Sequence, residues 1–254
     1  MAIWDNKVME IVERAQEGKG LPDKDIAYLY GVDSSSKEAY YIEWAAQQMS
    51  LEASNGKAEV HAQIGLNSAL CPMNCKFCSF AKCNGVRAEE FELSVEEVLE
   101  YAKAYEESGA NLILLLTTAN YRFEKLLEMG RAVREAISPE MPLLANTGDM
   151  TYEQACDLKK AGFNGAYHVV RMGEGTDTAI PESHRKKTIE NLQRARLSIS
   201  SCVEPVGPEH TPDQITYYTR MCIDMKAQSA GVGRRTAVPG TLMYDRGMLT
   251  YSRT

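Results

Sequence analysis

No stretch of this chain approaches the roughly 18–20 consecutive apolar residues of a membrane-spanning helix. Met1 to Arg14 mixes charges with apolar side chains and lacks the apolar core of a secretory signal. Positive charge is also short: 28 Lys and Arg stand against 35 Asp and Glu, a net charge of −7. That balance argues against general attraction to nucleic acid. No linker or low-complexity stretch divides the sequence. The expectations are therefore a cytoplasmic protein with no membrane and no nucleic-acid partner. At 254 residues the chain suffices for one large domain. Seven cysteines in such a compartment point to metal or redox chemistry rather than disulfides.

Three of those cysteines fall within eight residues, in Cys71-Pro72-Met73-Asn74-Cys75-Lys76-Phe77-Cys78. The segment follows an alternating apolar run (Val60, Ala62, Ile64, Leu66) that reads as a strand. Thiolates on one short loop can converge on a single soft metal centre: zinc, Cu(I) or iron–sulfur. A structural zinc site needs a fourth ligand, usually from a second CxxC or HxxxH pair, and none is present. A four-cysteine iron–sulfur site also needs one more thiolate. Three ligands suggest a cubane with one iron left open.

Residues 1–57 carry helical patterns over 3–16, from Asp23 as cap through Leu29, and over about 37–54 capped from Ser34 to Ser36. They read as a helical extension. From residue 58 the chain alternates. Strands are expected at 59–66, 111–117, 141–146, 164–170, 198–204 and 230–236, with helices at about 94–108, 121–137, 151–161, 182–196 and 211–227. Gly109, Gly162 and Gly231 are placed as breakers between helix and strand. Such alternation implies a parallel sheet with right-handed crossovers. Residues 247–254 read as the opening of a further helix, and the chain then stops.

CxxxCxxC with Phe77 before its last cysteine resembles the signature of the radical S-adenosylmethionine (SAM) enzymes. Downstream segments are most similar to the branch with biotin synthase, the hydrogenase maturase HydE and the methylornithine synthase PylB, over roughly residues 55–245. The resemblance implies an α/β fold, a partial (β/α)6 TIM-like barrel with an N-terminal helical cap. Relatives continue well beyond this length, so a truncated C-terminus is expected. It implies that Cys71, Cys75 and Cys78 hold a [4Fe-4S] cluster whose open iron chelates SAM. A flavodoxin or ferredoxin would be the reductant and a small molecule the substrate. Biotin synthase-like sulfur insertion and HydE- or PylB-like assembly or rearrangement are both open.

The same resemblance implies roles at the strand ends, where barrel chemistry gathers. Phe77 would pack near the adenine. Thr117, Thr118 and Asn120 stand where relatives meet the SAM amino group, although the usual Gly-Gly-Glu-like segment is absent. A strand-to-helix cap is the other reading there. Asp149 would meet the ribose or amino group, or else cap the next helix. Arg171 would fork onto the SAM carboxylate, and Glu174 would touch SAM or substrate. His168 either points into the barrel or is structural. Gly207 and Val238 lie in loops expected beside adenine and ribose. Arg234 or Arg235 can reach a substrate carboxylate, but not both. Cys156 and Cys222 fall in helical patterns and read as buried apolar residues. The second cluster of usual biotin synthases is not supported, because the second and third strands offer no cysteine and Cys202 looks displaced by one residue. A different one on Cys83 and Cys202 stays open. The rival from another class is a non-catalytic iron–sulfur or metal-binding protein, or an inactive remnant.

Overall fold

The computed structural model describes residues 4–86 and 89–250. Three helices come first: α1 (Asn6–Gln16), α2 (Asp23–Tyr30) and α3 (Lys37–Ala53). Asp5 caps α1 by accepting from the N–H groups of Lys7 and Val8, and Ser36 caps α3 through the N–H of Ala39. Pro22, not Asp23, occupies the cap of α2; Asp23 is its first residue, and its carboxylate pairs with Arg220 at 2.7 Å. Val8, Val12 and Ala45 make a small core of their own.

The alternating region then runs β1 (His61–Gly65), β2 (Asn67–Ser68), β3 (Phe91–Glu92), α4 (Val95–Glu107), β4 (Leu112–Leu116), α5 (Phe123–Ala136), β5 (Leu143–Asn146) and α6 (Tyr152–Lys160). It continues through β6 (Gly165–Tyr167), α7 (Glu182–Arg194), β7 (Ser198–Val206), α8 (Pro212–Asp224) and β8 (Ser229–Arg234). One six-stranded sheet has the order β1-β4-β5-β6-β7-β8 with every pairing parallel. This is the parallel sheet expected from the alternation, in the partial-barrel form that the resemblance implies. The short antiparallel pair β2–β3 was not expected.

Local chemistry sets the boundaries. Ser94, Thr151 and Thr211 each form a capping box, with Glu97, Gln154 and Gln214. Gly109 and Gly162 take left-handed conformations (φ 90° and 95°) between helix and strand, as expected. Gly231 does not: it lies within β8, and the left-handed turn after α8 falls on Lys226 (φ 53°). Period-two alternation sorts the strand side chains. Ile64, Ile113, Leu115, Leu143, Ala145 and Ile199 face the helices in the main core. Leu112, Leu114 and Leu144 face the other way, into the barrel, with Leu116 and Tyr167.

The expected helix at 247–254 is not found where the chain is described. Tyr244–Arg246 makes a single 3₁₀ turn, Gly247 takes φ 64°, and residues 247–250 are not helical; 251–254 lie outside the described residues. The cause lies in neighbouring guanidinium groups. Arg235 donates to the carbonyls of Arg246 and Gly247, and Arg234 to that of Leu249. Those acceptors are thus engaged by side chains rather than by a following helical turn. Among the described residues no helix is long and apolar enough to cross a membrane.

Candidate active site

The cysteine loop leaves the C-terminal end of β1 and is laced shut by its own backbone. The Cys71 N–H donates to the carbonyl of Phe80 (2.8 Å), and the Lys82 N–H to that of Cys71 (3.0 Å). Asn74 adopts φ 49°, which an asparagine tolerates better than most side chains. The central clip is Asn84. Its Nδ2 donates to the carbonyls of Cys75, Lys76 and Cys78 at 3.4, 3.3 and 2.8 Å, while its Oδ1 accepts from the Leu242 N–H at 3.1 Å. Lys76 and Met73 tie the loop to the segment after β6, through Lys76 N–H to Asp177 O (2.8 Å) and Ala179 N–H to Met73 O (2.7 Å). Asn84→Ala removes the clip without touching a thiol. Losing hydrogen bonds of this kind costs about 1–3 kcal/mol. The expected result is a melting temperature several degrees lower and fewer irons retained per chain after reconstitution; an unchanged iron count would show that the loop holds its shape without Asn84.

The three thiols share one wall of a cavity of about 260 Å³ with Phe77, Phe80 and Met73. The rest of the lining includes Thr117, Thr118, Asn146 and Thr147 from the ends of β4 and β5, and Tyr167 and Arg171 at and beyond the end of β6. Burial pushes the Cys75 thiol up to about 12, and burial raises Cys78 as well. Cys71 and Cys78 both act electrostatically on Cys75, so the set is close-knit. Desolvated thiols of this kind stay protonated until a metal takes the proton's place. Among the described residues no three metal-ligating side chains are grouped closely enough for one ion. A cubane presents its irons at separate corners, so its thiolates stand further apart than the ligands of one ion.

A buried charge network starts at His168, Arg171 and Arg185 in the cavity lining and runs behind it. Arg171 places Nε 3.3 Å from Glu204 Oε1 and an amino group 4.0 Å from Glu174 Oε1. Burial opposes its charge, but Glu204, Cys75 and Glu174 outweigh that and raise its proton affinity. Glu174 also accepts from Thr178 and from Arg185 (3.2 Å), and does not line the cavity. Asp149 Oδ1 accepts from Arg185 and Thr188, each at 3.2 Å. Burial works to raise its carboxyl, but His168 and Arg185 hold it below the usual range. Thr151, not Asp149, caps α6. His168 Nε2 lies 3.2 Å from Asp149 but is not aligned for a hydrogen bond, and burial lowers the ring's pKa.

The expected site residues are thus partly assembled. Cys71, Cys75, Cys78, Phe77, Thr117, Thr118 and Arg171 line the cavity. Asp149 and Glu174 stand one layer back, reaching it through Arg185. Asn120 turns away, donating to the Leu70 carbonyl at 3.4 Å. Gly207 donates to His210 Nδ1 (2.8 Å), and the Val238 carbonyl accepts from Thr241; neither lines the cavity. Arg234 and Arg235 are committed to the chain after residue 245, and Arg235 also forks onto Glu209. Cys202 lies on the barrel side of β7, against Tyr167 and Glu204, so its place in the sequence does not turn it to the helix side. Cys83 is exposed, near Asn74 and Asn84, and Cys222 packs with Val203 behind the sheet.

Four contributors were not anticipated: Asn67, Asn84, Thr147 and Arg185. Asn67 was findable, being in phase with Gly65 on the inner face of the first strand. Its amide grips Thr118, with Nδ2 donating to Oγ1 (2.8 Å) and Oδ1 accepting from the N–H (3.0 Å). Arg185 lies on a helix, and its sequence neighbours carry no sign of its burial.

The profile of the Radical SAM superfamily matches residues 68–218. Among curated proteins, a biotin synthase from Clostridioides difficile (strain 630) is 28% identical over 198 residues, covering 72% of this chain and 60% of its own. One from Pelotomaculum thermopropionicum is 27% identical over 201 residues, covering 76% and 61%. The chain thus spans about 60% of the length of these relatives. Among solved structures, methylornithine synthase (PylB) superposes with a TM-score of 0.80 at 16% identity, over 92% of this chain and 70% of its own. HydG, a maturase of the [FeFe]-hydrogenase, gives 0.73 at 14%, over 92% and 55%. These likenesses carry the fold.

Proposed function

Because this chain belongs to the radical SAM superfamily, we propose that its cavity is an active site, with a [4Fe-4S] cluster on Cys71, Cys75 and Cys78 and SAM beside it. The observation that carries this reading is the convergence of Cys71 and the desolvated thiols of Cys75 and Cys78 on a cavity that Arg171 also lines. When bound, the cluster would supply the electron for reductive cleavage of SAM, the chemistry by which a hydrogen atom would be abstracted from a small molecule. The chain's own residues bind and orient. Arg171 offers its guanidinium to the SAM carboxylate. Thr117 and Thr118 offer oxygens toward the amino group, Phe77 packs against the adenine, and Asp149 and Glu174 keep Arg185 fixed. Phe80, Met73 and Leu116 keep the cavity wall apolar and limit water.

Within the class, a HydE- or PylB-like reaction is favoured over sulfur insertion. Among the described residues Cys202 is the single cysteine on the barrel's inner wall outside the motif loop, so a sulfur-donating second cluster lacks ligands there. The protein is proposed to work in the cytoplasm with a flavodoxin- or ferredoxin-type reductant. The rival is a metal-binding protein without catalysis. Anaerobic incubation of reconstituted protein with SAM and dithionite separates them. The active-site reading expects 5′-deoxyadenosine to form, and formation no faster than in protein lacking cluster would reject it.

A further inference from the structure

Below the thiols the two sides of the barrel interior differ. One is aliphatic, with Leu112, Leu114 and Leu144 packed beside Leu116. The other, on β7 and β8, is small and polar: Ser200, Cys202 and Glu204 face Ser229, Gly231 and Gly233. Ser229 donates to or accepts from Ser200 at 2.8 Å. The two glycines keep this wall open. A Cβ at Gly231 would meet only Cys202 Sγ, at 3.8 Å. One at Gly233 would stand 3.4 Å from Cys202 Sγ and 3.5 Å from Glu204 Oε2, filling the space beside the carboxylate.

Glu204 is the one carboxylate on this wall among the described residues, and its side chain is 25% exposed. Oε2 accepts from the Tyr167 hydroxyl at 3.0 Å, and Oε1 faces Arg171 Nε at 3.3 Å. A carboxylate has about four acceptor positions; Tyr167, Arg171 and the adjacent Cys202 thiol occupy three, which leaves one open while Arg171 stays and two once it turns away. The cavity's guanidinium groups are both engaged, Arg171 by Glu204 and Arg185 by Asp149 and Glu174. A second anion would therefore find no uncommitted positive charge there, and Glu204, which stands next to the lining residues Tyr167 and Arg171, would repel it.

We propose that the wall around Glu204 and Tyr167 seats the substrate, and that the substrate is a small aliphatic compound carrying a protonated amine. The alkyl part lies against the leucines and the ammonium donates to Glu204. This rests on the proposed function, in which Arg171 turns to the SAM carboxylate and leaves Glu204 an unbalanced anion.

The test titrates cluster-loaded protein, with SAM present, with hexylamine and in parallel with hexanoate, under anaerobic calorimetry. Hexylamine is expected to bind at least tenfold tighter than hexanoate. Glu204→Gln is expected to weaken hexylamine about tenfold. Gly233→Ala, which narrows the wall and keeps the charge, is expected to weaken it as well. Absence of hexylamine binding, hexanoate binding as tightly, or hexylamine affinity unchanged in both variants overturns the proposal. Iron content and SAM affinity are measured on the same sample. Protein that holds cluster and SAM yet fails the amine test rejects this inference alone; protein that holds neither rejects the proposed function and this inference with it.

Discussion

Cys75→Ser is expected to give a folded protein that does not cleave SAM. Serine matches the shape of cysteine, and Cys75 is only part-buried, so the fold loses little. Its hydroxyl is a hard, weakly acidic ligand where iron–sulfur chemistry asks for a soft thiolate. With two protein thiolates left, the proposed cubane is under-ligated. The fall in 5′-deoxyadenosine formation should exceed the roughly 10–100-fold typical of losing an outer hydrogen-bond partner of a metal ligand. Far-ultraviolet circular dichroism should match the wild type, while iron content and product drop together. Normal turnover by this variant would remove Cys75 from the cluster.

Arg171→Ala should separate SAM binding from cluster binding. Arg171 reaches the cavity beside Cys75 but contributes no ligand to the metal. Its guanidinium is held by Glu204 at 3.3 Å and approached by Glu174 at 4.0 Å. Charge-assisted hydrogen bonds contribute about 1.5–3 kcal/mol, so SAM affinity should fall roughly 10–100-fold. The substitution also strips Glu204 of its partner and sets a bare carboxylate near the proposed SAM site, which pushes in the same direction. Arg171→Lys keeps the charge without the planar fork and should recover part of the affinity. Equilibrium dialysis with radiolabelled SAM reads the effect, and iron analysis confirms that the cluster remains. SAM affinity equal to wild type in the alanine variant would mean that Arg171 serves the Glu204 network instead.

The alternation of strands and helices was legible because each step carries its own local signal. The central strands stand out as short continuous apolar runs, as in Leu112–Leu116, and Ser94, Thr151 and Thr211 mark helix starts with a glutamate or glutamine three residues on. The cysteine motif was legible because its three residues are neighbours in sequence. What was hidden depends on distant neighbours. β2 and β3 have two residues each, too few to show a period. Gly231 resembled a helix stop, but its missing side chain serves the barrel wall beside Cys202 instead. Arg234 and Arg235 looked free to meet a substrate, and only the fold brings the carbonyls after residue 245 to them. Asp149 read equally well as a cap or a ligand contact; Arg185, 36 residues further on, claims it.

The most direct measurement is electron paramagnetic resonance on anaerobically reconstituted, dithionite-reduced protein, with and without SAM, for the wild type and for a variant with Cys71, Cys75 and Cys78 all replaced by alanine. The account predicts a reduced-cluster signal that shifts on adding SAM and is absent from the triple variant. A signal indifferent to SAM, or one that survives the loss of all three thiols, would contradict it.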